Sequence, residues 1–367
     1  MGWEKLDDHK IAFIMCVNDT ENALETEYYI NQLRIPKGYS TDIITVYDAE
    51  SMAAGYNAAM KSSDAGIKVY LHQDTRIINR NFIGNVLSAF REDRMIGVLG
   101  CIGCCAIPLN GQTVSSWDTG MIYHNCIPYK TVKAQNENEN LTKVEALDGL
   151  LLVTRYDIPW REDLFDGWDF YDISQCLEMQ RAGYQVAVPF QTEPWCYHDN
   201  TYSKMQHYQK YCDRMISEYQ DIKPFYRVEP SDNKKELNLL KETSRKELRK
   251  LVENDNKKEL IQIFDKPENR GWGHLKEFEL LADITRKELA AGKSLLWEDG
   301  DSYEDVWKRI KSLHFKLKRL EYHDECENEL IKECLQRYTI EAIKTVLWAY
   351  TDKPEPLWKK IQQYGTV

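Results

Sequence analysis

Long apolar segments are missing from this sequence. No apolar run approaches the roughly 18–20 residues that a membrane-spanning helix needs. The opening MGWEKLDDHK has neither an apolar core nor a cleavage site of small residues, so we expect no secretory signal. The sequence therefore predicts a cytoplasmic protein, with peripheral attachment to the inner face of the membrane as an alternative.

An excess of basic charge is also missing. The 367 residues include 48 Lys and Arg against 59 Asp and Glu, which gives a formal net charge of −11. Nucleic-acid binding needs a basic face that neutralises phosphates, so the charge argues against this class of partner. Without an export signal, we expect the ten cysteines to be reduced thiols rather than a disulfide framework.

Glycine-rich phosphate loops are the third absence. No GxGxxG follows the first predicted strand, and no GxxxxGK[ST] occurs anywhere; the segment VNDTENALE (17–25) is acidic and free of glycine. A bound nucleotide would therefore need another partner for its phosphates. A divalent ion fits this need, and a hard oxygen ligand such as Asp74 suits Mg²⁺ or Mn²⁺.

Charge composition divides the chain into two predicted domains. Residues 1–230 carry 21 basic and 32 acidic side chains, whereas residues 231–367 carry 27 of each. The change falls near IKPFYRVEPSDNKKE, where Asn233 and Glu236 resemble a capping box that opens a helix. We therefore expect a domain boundary close to residue 230.

The two parts also differ in their hydrophobic period. Short β-branched runs at 10–18, 41–48, 67–74 and 95–101 alternate with helical patterns, which predicts an α/β fold with a mostly parallel sheet and helices on both faces. The second part has a period of 3.6 residues and predicts an all-α domain that packs on itself or on the first domain. We expect it to recruit an acceptor or a protein partner, or to self-associate. Its clearest apolar stripe consists of Tyr303, Val306, Trp307, Ile310, Leu313, Leu317 and Leu320.

Polar residues follow the predicted strands where a parallel sheet binds its ligands. Ligands of such sheets bind at the carboxyl ends of the strands. Strand one is followed by Asn18 and Asp19, strand two ends at Asp48, and strand three ends at His72-Gln73-Asp74. An acidic residue that closes the second strand is well placed to hold a ribose hydroxyl.

Several segments together resemble a known family. They are GYNAAM (55–60), YLHQD (70–74), LDGLLLVTR (147–155) and FYDISQCLEMQRAGYQVAV (170–188). In this order and spacing they resemble the family 2 glycosyltransferases of the GT-A fold, and more narrowly the streptomycin-biosynthesis-type branch. The resemblance covers roughly residues 10–200 of the sequence. It implies that residues 1–230 form the catalytic domain and residues 231–367 a helical C-terminal domain.

The resemblance implies a donor site and a metal site. His72-Gln73-Asp74 takes the place of an Asp-x-Asp motif, so Asp74 would ligate Mn²⁺ or Mg²⁺, and His198 would complete the metal site. His72 and Gln73 would lie beside the donor. The remaining positions that fall where this family holds the nucleotide are Cys16, Val17, Asn18, Asp48, Met52 and Asn57.

The resemblance also implies the reaction. Asp148 and Gly149 would approach the sugar and the acceptor, and Asp172 would be the general base. One carboxylate that deprotonates an acceptor hydroxyl is sufficient for a single displacement with inversion, because a metal-bound diphosphate leaves without protonation. We expect the helix N-terminus and the metal to keep the pKa of Asp172 low. The donor would be a UDP-, GDP- or dTDP-linked sugar, and the acceptor a hydroxyl of a glycan, glycolipid, protein or small molecule.

Structural roles remain open for the same residues. Asp74 is also suited to cap a helix near Asn79, the helix dipole alone favours Asp172, and His198 fits a surface loop.

Two other functions also remain open. A nucleotidyltransferase would need a basic, glycine-rich loop after strand one, which is missing, whereas an inactive GT-A domain used for binding is consistent with His72 in place of Asp.

Cysteine and tryptophan residues allow two further interpretations. Cys101, Cys104 and Cys105 have the spacing of a redox or zinc motif, but small core residues are the better interpretation; His124 and Cys126 remain candidates to complete a zinc site. Trp117 and Trp168 are suited either to stack on sugar rings or to fill the core.

Overall fold

The computed structural model describes the chain in segments that form two compact units. The first unit takes Met1–His124, Tyr129–Asn200 and Lys204–Pro230, and the second takes Asn125–Pro128, Thr201–Ser203 and Ser231–Val367. The predicted capping box at Asn233 and Glu236 lies outside the described residues. The described residues are 6–114, 116–124, 139–199, 207–226, 244–254, 256–270, 275–298, 300–323, 327–351 and 354–365, with the backbone of 130 and 131.

The first unit alternates strands and helices, as the sequence pattern predicts. Its strands are β1 Asp7–Val17, β2 Ser40–Tyr47, β3 Ala65–Leu71, β4 Thr75–Ile77, β5 Ile96–Gly100, β6 Ile102–Cys104, β7 Thr119–His124, β8 Lys130–Thr131, β9 Leu141–Val144, β10 Ala146–Leu147, β11 Leu151–Thr154, β12 Gln185–Pro189 and β13 Cys196–His198. Its helices are α1 Thr20–Asn31, α2 Met52–Ser62, α3 Phe82–Glu92, α4 Tyr171–Arg181 and α5 Tyr208–Glu218.

The main sheet has the strand order β2-β1-β3-β11-β5-β12-β9. The pairs β1–β2, β1–β3 and β5–β12 are parallel, and β11 and β9 run against their neighbours. The buried parts of β1 and β11, at 11–17 and 151–153, are continuous apolar runs because hydrophobic clusters cover both faces of the sheet. The predicted α/β fold class is confirmed, with a sheet that is mixed rather than wholly parallel.

A second sheet brings the turn after β3 next to the end of the chain's last described strand. Its order is β10-β6-β7-β13-β4, and β8 pairs with β7. In the antiparallel β4–β13 pair, Thr75 lies opposite His198, and in the parallel β7–β13 pair His124 lies opposite His198. The β4–β13 pair joins two segments that are more than a hundred residues apart in the sequence.

The second unit is helical over its described residues. Its helices are α6 at 244–253, α7 Lys257–Asp265, α8 Lys276–Ala291, α9 Tyr303–Tyr322, α10 Glu327–Arg337, α11 Ile340–Tyr350 and α12 Pro354–Gly365. The predicted stripe lies on α9, where every member except the half-buried Trp307 is buried in one apolar core. A capping box at Ser302 and Asp305 starts this helix. None of the described helices combines the length and apolar character that crossing a bilayer demands.

Candidate metal and catalytic site

The turn 72–74 follows β3, and a buried arginine fixes its backbone. The backbone N–H of Thr75 donates to the carbonyl of His72 at 3.1 Å and closes the turn. Arg76 is 1% exposed, and its guanidinium donates to the carbonyl of Gln73 at 2.8 Å and to Asn22 Oδ1 of α1 at 2.7 Å. The turn is therefore anchored to α1, and Asp74 does not cap α3, whose N-cap is Asn81.

His72, Asp74 and His198 form one group of candidate metal ligands. One ligand atom from each lies within 4.8 Å of the others. His198 Nε2 is 3.4 Å from Asp74 Oδ1, and His72 Nδ1 is 3.5 Å from His198 Nε2. The predicted ligands Asp74 and His198 thus lie together, and His72, predicted beside the donor, lies in the same group.

The chemistry of this donor set fits a divalent cation of the transition series. Burial opposes the ionised form of Asp74, but His198, which pairs with it, outweighs burial and holds the pKa of Asp74 well below its usual value. Burial lowers the pKa of His72, which favours the neutral imidazole that a metal ligand needs. Two imidazole nitrogens and one carboxylate oxygen suit Mn²⁺ better than Mg²⁺, which prefers oxygen ligands alone.

Gln73 joins the turn to the loop after β1. Its Oε1 accepts hydrogen bonds from the backbone N–H groups of Asn18 and Asp19, both at 2.9 Å, and its Nε2 donates to Asn18 Oδ1. Asp19 in turn caps α1 by accepting from the N–H of Asn22. The Gln73 side chain therefore fixes two candidate ligand-binding segments, the turn 72–74 and the loop after β1, relative to each other.

Several predicted donor residues support the site from inside the core. Cys16 and Val17 are buried at the end of β1, and Met52 is buried at the start of α2. Asn57 is 3% exposed, and its amide donates to and accepts from the backbone of Trp160, at 2.8 and 2.9 Å. The Asn57 side chain thus holds the backbone of Trp160 in place, and its polar atoms are not exposed to a nucleotide.

Asp48 lies exposed at the end of β2 in an unusual backbone conformation. Its φ is +53°, one of two positive values among the described non-glycine residues; the other belongs to Phe170. Among the described residues its carboxylate has no hydrogen-bond or ion-pair partner. Asp tolerates this left-handed conformation better than most residues, and such backbone strain occurs often at ligand sites.

Helix α4 presents Asp172 from its first turn, as predicted. Phe170 precedes the helix with φ +65°, which turns the chain sharply into α4. The two carboxylate oxygens of Asp172 accept from the backbone N–H groups of Gly149 at 2.8 Å and Ile173 at 2.9 Å. The carboxylate is therefore fixed against the segment that carries Asp148.

The pKa of Asp172 differs from the prediction. Burial, followed by the charge of Asp148, raises the pKa of Asp172 from 3.8 to about 7, although the two backbone donors lower it. In the metal-free protein, desolvation is a larger effect than the helix N-terminus. The expectation that the helix N-terminus and the metal together keep this pKa low stays a prediction. A carboxylate with a pKa near neutrality is well matched to proton transfer at neutral pH.

Tyr171 links the base-bearing helix to the metal ligands, a role that sequence reasoning missed. Its hydroxyl oxygen is 2.6 Å from His72 Nε2, and burial raises its pKa well above the usual value, so the phenol keeps its proton. A Cβ at Gly149 would lie 2.2 Å from this hydroxyl oxygen and 2.9 Å from the Cβ of Asp172. Only glycine at position 149 leaves room for both side chains.

The cysteine motif does not form a second metal centre among the described residues. Cys101 and Cys104 are buried and Cys105 is exposed, and among the described residues only His72, Asp74 and His198 group together as candidate metal ligands. Cys126 lies outside the described residues. Of the two tryptophans, Trp117 packs against the core and Trp168 is 51% exposed, four residues before Asp172.

The sequence profile of a family described as "Glycosyltransferase like family" matches residues 12–219, from β1 to the end of α5. The chain belongs to this glycosyltransferase-like family. It is therefore an enzyme, a glycosyltransferase, and the match includes all of the candidate ligands and Asp172. The narrower streptomycin-biosynthesis-type assignment stays a prediction.

The solved structures that match this chain have low sequence identity to it. GalNAc-T7 with UDP, GalNAc and Mn²⁺ is 10% identical with a TM-score of 0.41; the match covers 59% of this chain and 49%, about half, of that one. The mannosyltransferase PcManGT from Pyrobaculum calidifontis, with GDP-Man and Mn²⁺, is 11% identical with a TM-score of 0.37, covering 95% and 91%. TarS 1–349 of S. aureus is 10% identical with a TM-score of 0.36, covering 92% and 90%. No curated protein matches the sequence, and at these similarities the ligands of the first two proteins say nothing about the ligands of this chain.

Proposed function

We propose that this glycosyltransferase moves a sugar from a nucleotide-sugar donor to a hydroxyl acceptor, with inversion and with the help of a divalent metal. In this proposal the unit up to residue 230 is the catalytic domain. The observation that carries the proposal is the grouping of His72, Asp74 and His198 at the carboxyl end of β3, joined through Tyr171 to the helix that presents Asp172.

His72, Asp74 and His198 would hold the metal. When bound, Mn²⁺ or Mg²⁺ would stabilise the negative charge of the nucleoside diphosphate leaving group, and the two imidazoles favour Mn²⁺. The charges of Asp74 and Asp148 add to the attraction of this edge of the sheet for a cation. The charge of Asp148 contributes to raising the pKa of both His198 and Asp172.

Asp172 would accept the proton of the acceptor hydroxyl as its oxygen attacks the anomeric carbon. Its position is fixed by two backbone hydrogen bonds, and its pKa of about 7 allows both uptake and release of a proton near neutral pH. One base and a leaving group that needs no proton support a single displacement. The anomeric configuration of the product, read by NMR, is the direct test, and retention of configuration would contradict inversion.

The donor nucleotide would lie over the carboxyl ends of β1 and β2. Asp48 is exposed with a free carboxylate and would hold the ribose, and the exposed Asn18 would approach the base. Cys16, Val17, Met52 and Asn57 would shape this pocket from beneath. Asp148 and Gly149 would border the sugar and the acceptor.

Binding of nucleoside diphosphates tests the metal and the donor together. We expect UDP, GDP or dTDP to bind in isothermal titration only with Mn²⁺ or Mg²⁺, more tightly with Mn²⁺. Asp74→Ala should remove the metal-dependent part of the binding, whereas Asp163→Ala, an acidic residue paired with Arg161 on the surface, should leave it unchanged. Binding that persists in EDTA and in Asp74→Ala would refute the metal site.

A further inference from the structure

The hydrogen bond between Tyr171 and His72 has a consequence for the state of the imidazole. A neutral imidazole has one proton, and only the nitrogen without the proton can bind a cation. His72 Nε2 is 2.6 Å from the Tyr171 hydroxyl oxygen, whereas Nδ1 is 3.5 Å from His198 Nε2 and 4.0 Å from Asp74 Oδ1. Nδ1 therefore faces the candidate ligands, and Nε2 faces away from them.

We infer that Tyr171 is a positioning residue for the metal site: its hydroxyl oxygen accepts the Nε2 proton of His72, which leaves Nδ1 unprotonated and directed at the cation. The inference rests on the metal site of the proposed function. Outer groups that accept the second N–H of a metal-binding histidine fix both its tautomer and its orientation. The opposite arrangement, with the hydroxyl donating to Nε2, would put the proton on Nδ1 and block it as a ligand.

The packing around Tyr171 keeps its oxygen in place. The side chain is 4% exposed, and its ring packs 5.9 Å from that of Tyr56 and 6.1 Å from that of Trp160. Gly149 closes the other side, where any larger residue would collide with the hydroxyl. A phenol held in this way cannot follow a shift of the imidazole, so it sets the direction of the His72 ring.

Manganese binding to the full chain tests the inference without any measurement of activity. The probe is Mn²⁺ alone, and electron paramagnetic resonance reports the free ion. Loss of an outer-shell partner typically weakens metal affinity about 10–100-fold, and we expect Tyr171→Phe to do so. Tyr56→Phe is the matched control, because this buried hydroxyl makes one long bond of 3.4 Å to the Leu71 carbonyl. We expect it to leave Mn²⁺ affinity unchanged.

Two spectroscopic readouts separate orientation from simple loss of stability. Nitrogen couplings to bound Mn²⁺ should correspond to two imidazoles in wild type and in Tyr56→Phe, with the His72 coupling reduced in Tyr171→Phe. In the metal-free wild-type protein, long-range ¹H–¹⁵N spectra should give His72 as the Nε2–H tautomer, with its signals assigned by their loss in His72→Gln. This second readout needs no substitution of Tyr171, so it holds even if Tyr171→Phe folds poorly.

The outcomes distinguish this inference from the proposed function. If Asp74→Ala weakens Mn²⁺ binding and Tyr171→Phe does not, the role of Tyr171 is overturned and the metal site stands. The Nδ1–H tautomer in the wild-type protein would overturn the inference in the same way. If Asp74→Ala has no effect on Mn²⁺ binding, the metal site itself is wrong, and the role of Tyr171 falls with it.

Discussion

Replacing Asp172 with Asn tests the raised pKa of this carboxylate through protein stability. The wild-type carboxyl is neutral in the folded protein up to about pH 7 but ionises at about 3.8 in the unfolded chain. A raised folded-state pKa means that stability from this group is fully present below pH 3.8 and is lost as the pH rises through 7. The neutral amide of Asn has no such loss.

The size of the effect follows from the shift. A change from 3.8 to about 7 corresponds to an upper limit of roughly 4 kcal/mol, which solvent at this partly exposed side chain will reduce. Asn also has a cost that does not depend on pH. Both oxygens of Asp172 accept backbone N–H groups, and Asn offers only one oxygen, so one buried donor is left unpaired at about 1–3 kcal/mol.

The assay is chemical denaturation of wild type and Asp172→Asn in EDTA from pH 4 to pH 9. We expect the variant to have the lower free energy of unfolding at pH 4. Its free energy of unfolding relative to the wild type should then rise up to about pH 7, and the difference should be constant above pH 8. A stability difference that does not change with pH would show that the carboxyl ionises in its ordinary range, which would refute the argument from burial.

Transfer rates complete the test of Asp172. Removal of a positioned base typically lowers the rate about 10²–10⁴-fold, and donor binding should remain because the metal ligands are untouched. Asp169→Asn is the matched control, three residues earlier at the entrance to α4. An inactive Asp169→Asn beside an active Asp172→Asn would place the base on the other carboxylate.

Three further predictions concern neighbouring residues and the helical unit. Asp148→Asn removes the charge that adds to the raised pKa of Asp172, so the acid limb of the pH profile of kcat/KM should move to lower pH; an unmoved limb would mean that the two carboxylates do not interact. Gly149→Ala places a Cβ 2.2 Å from the Tyr171 hydroxyl oxygen. We expect this substitution to lower both the Mn²⁺ affinity and the transfer rate. Wild-type values of both would show that the surrounding side chains move to make room for the methyl group. Glu288→Ala removes an oxygen that accepts hydrogen bonds from three backbone N–H groups of the following loop at 2.7–3.0 Å. The free energy of unfolding should therefore fall by about 3 kcal/mol, and it should fall less in Glu288→Gln, which keeps an acceptor oxygen. Equal losses in both variants would mean that the charge of Glu288 stabilises the loop, not its acceptor oxygen.

The local pattern of the sequence determined the secondary structure and the order of the functional segments. The β-branched runs at 10–18 and 41–48 correspond to β1 and β2, because strand formation depends on side chains that lie within a few residues. The stripe on α9 is buried as its period predicts. The position of Asp172 in the first turn of α4 also follows from the local pattern.

The tertiary structure decided what these residues do for each other. The sequence alone placed His72 beside the donor, and only the pairing of β4 with β13 brings His198 to it across the fold. In the metal-free protein, burial outweighs the helix end in setting the pKa of Asp172, because desolvation depends on every neighbour in space. The contact between Tyr171 and His72 has no signal at all in the sequence, since 99 residues separate the two. Their meeting depends on the packing of α4 against the sheet, with Gly149 leaving the space for it.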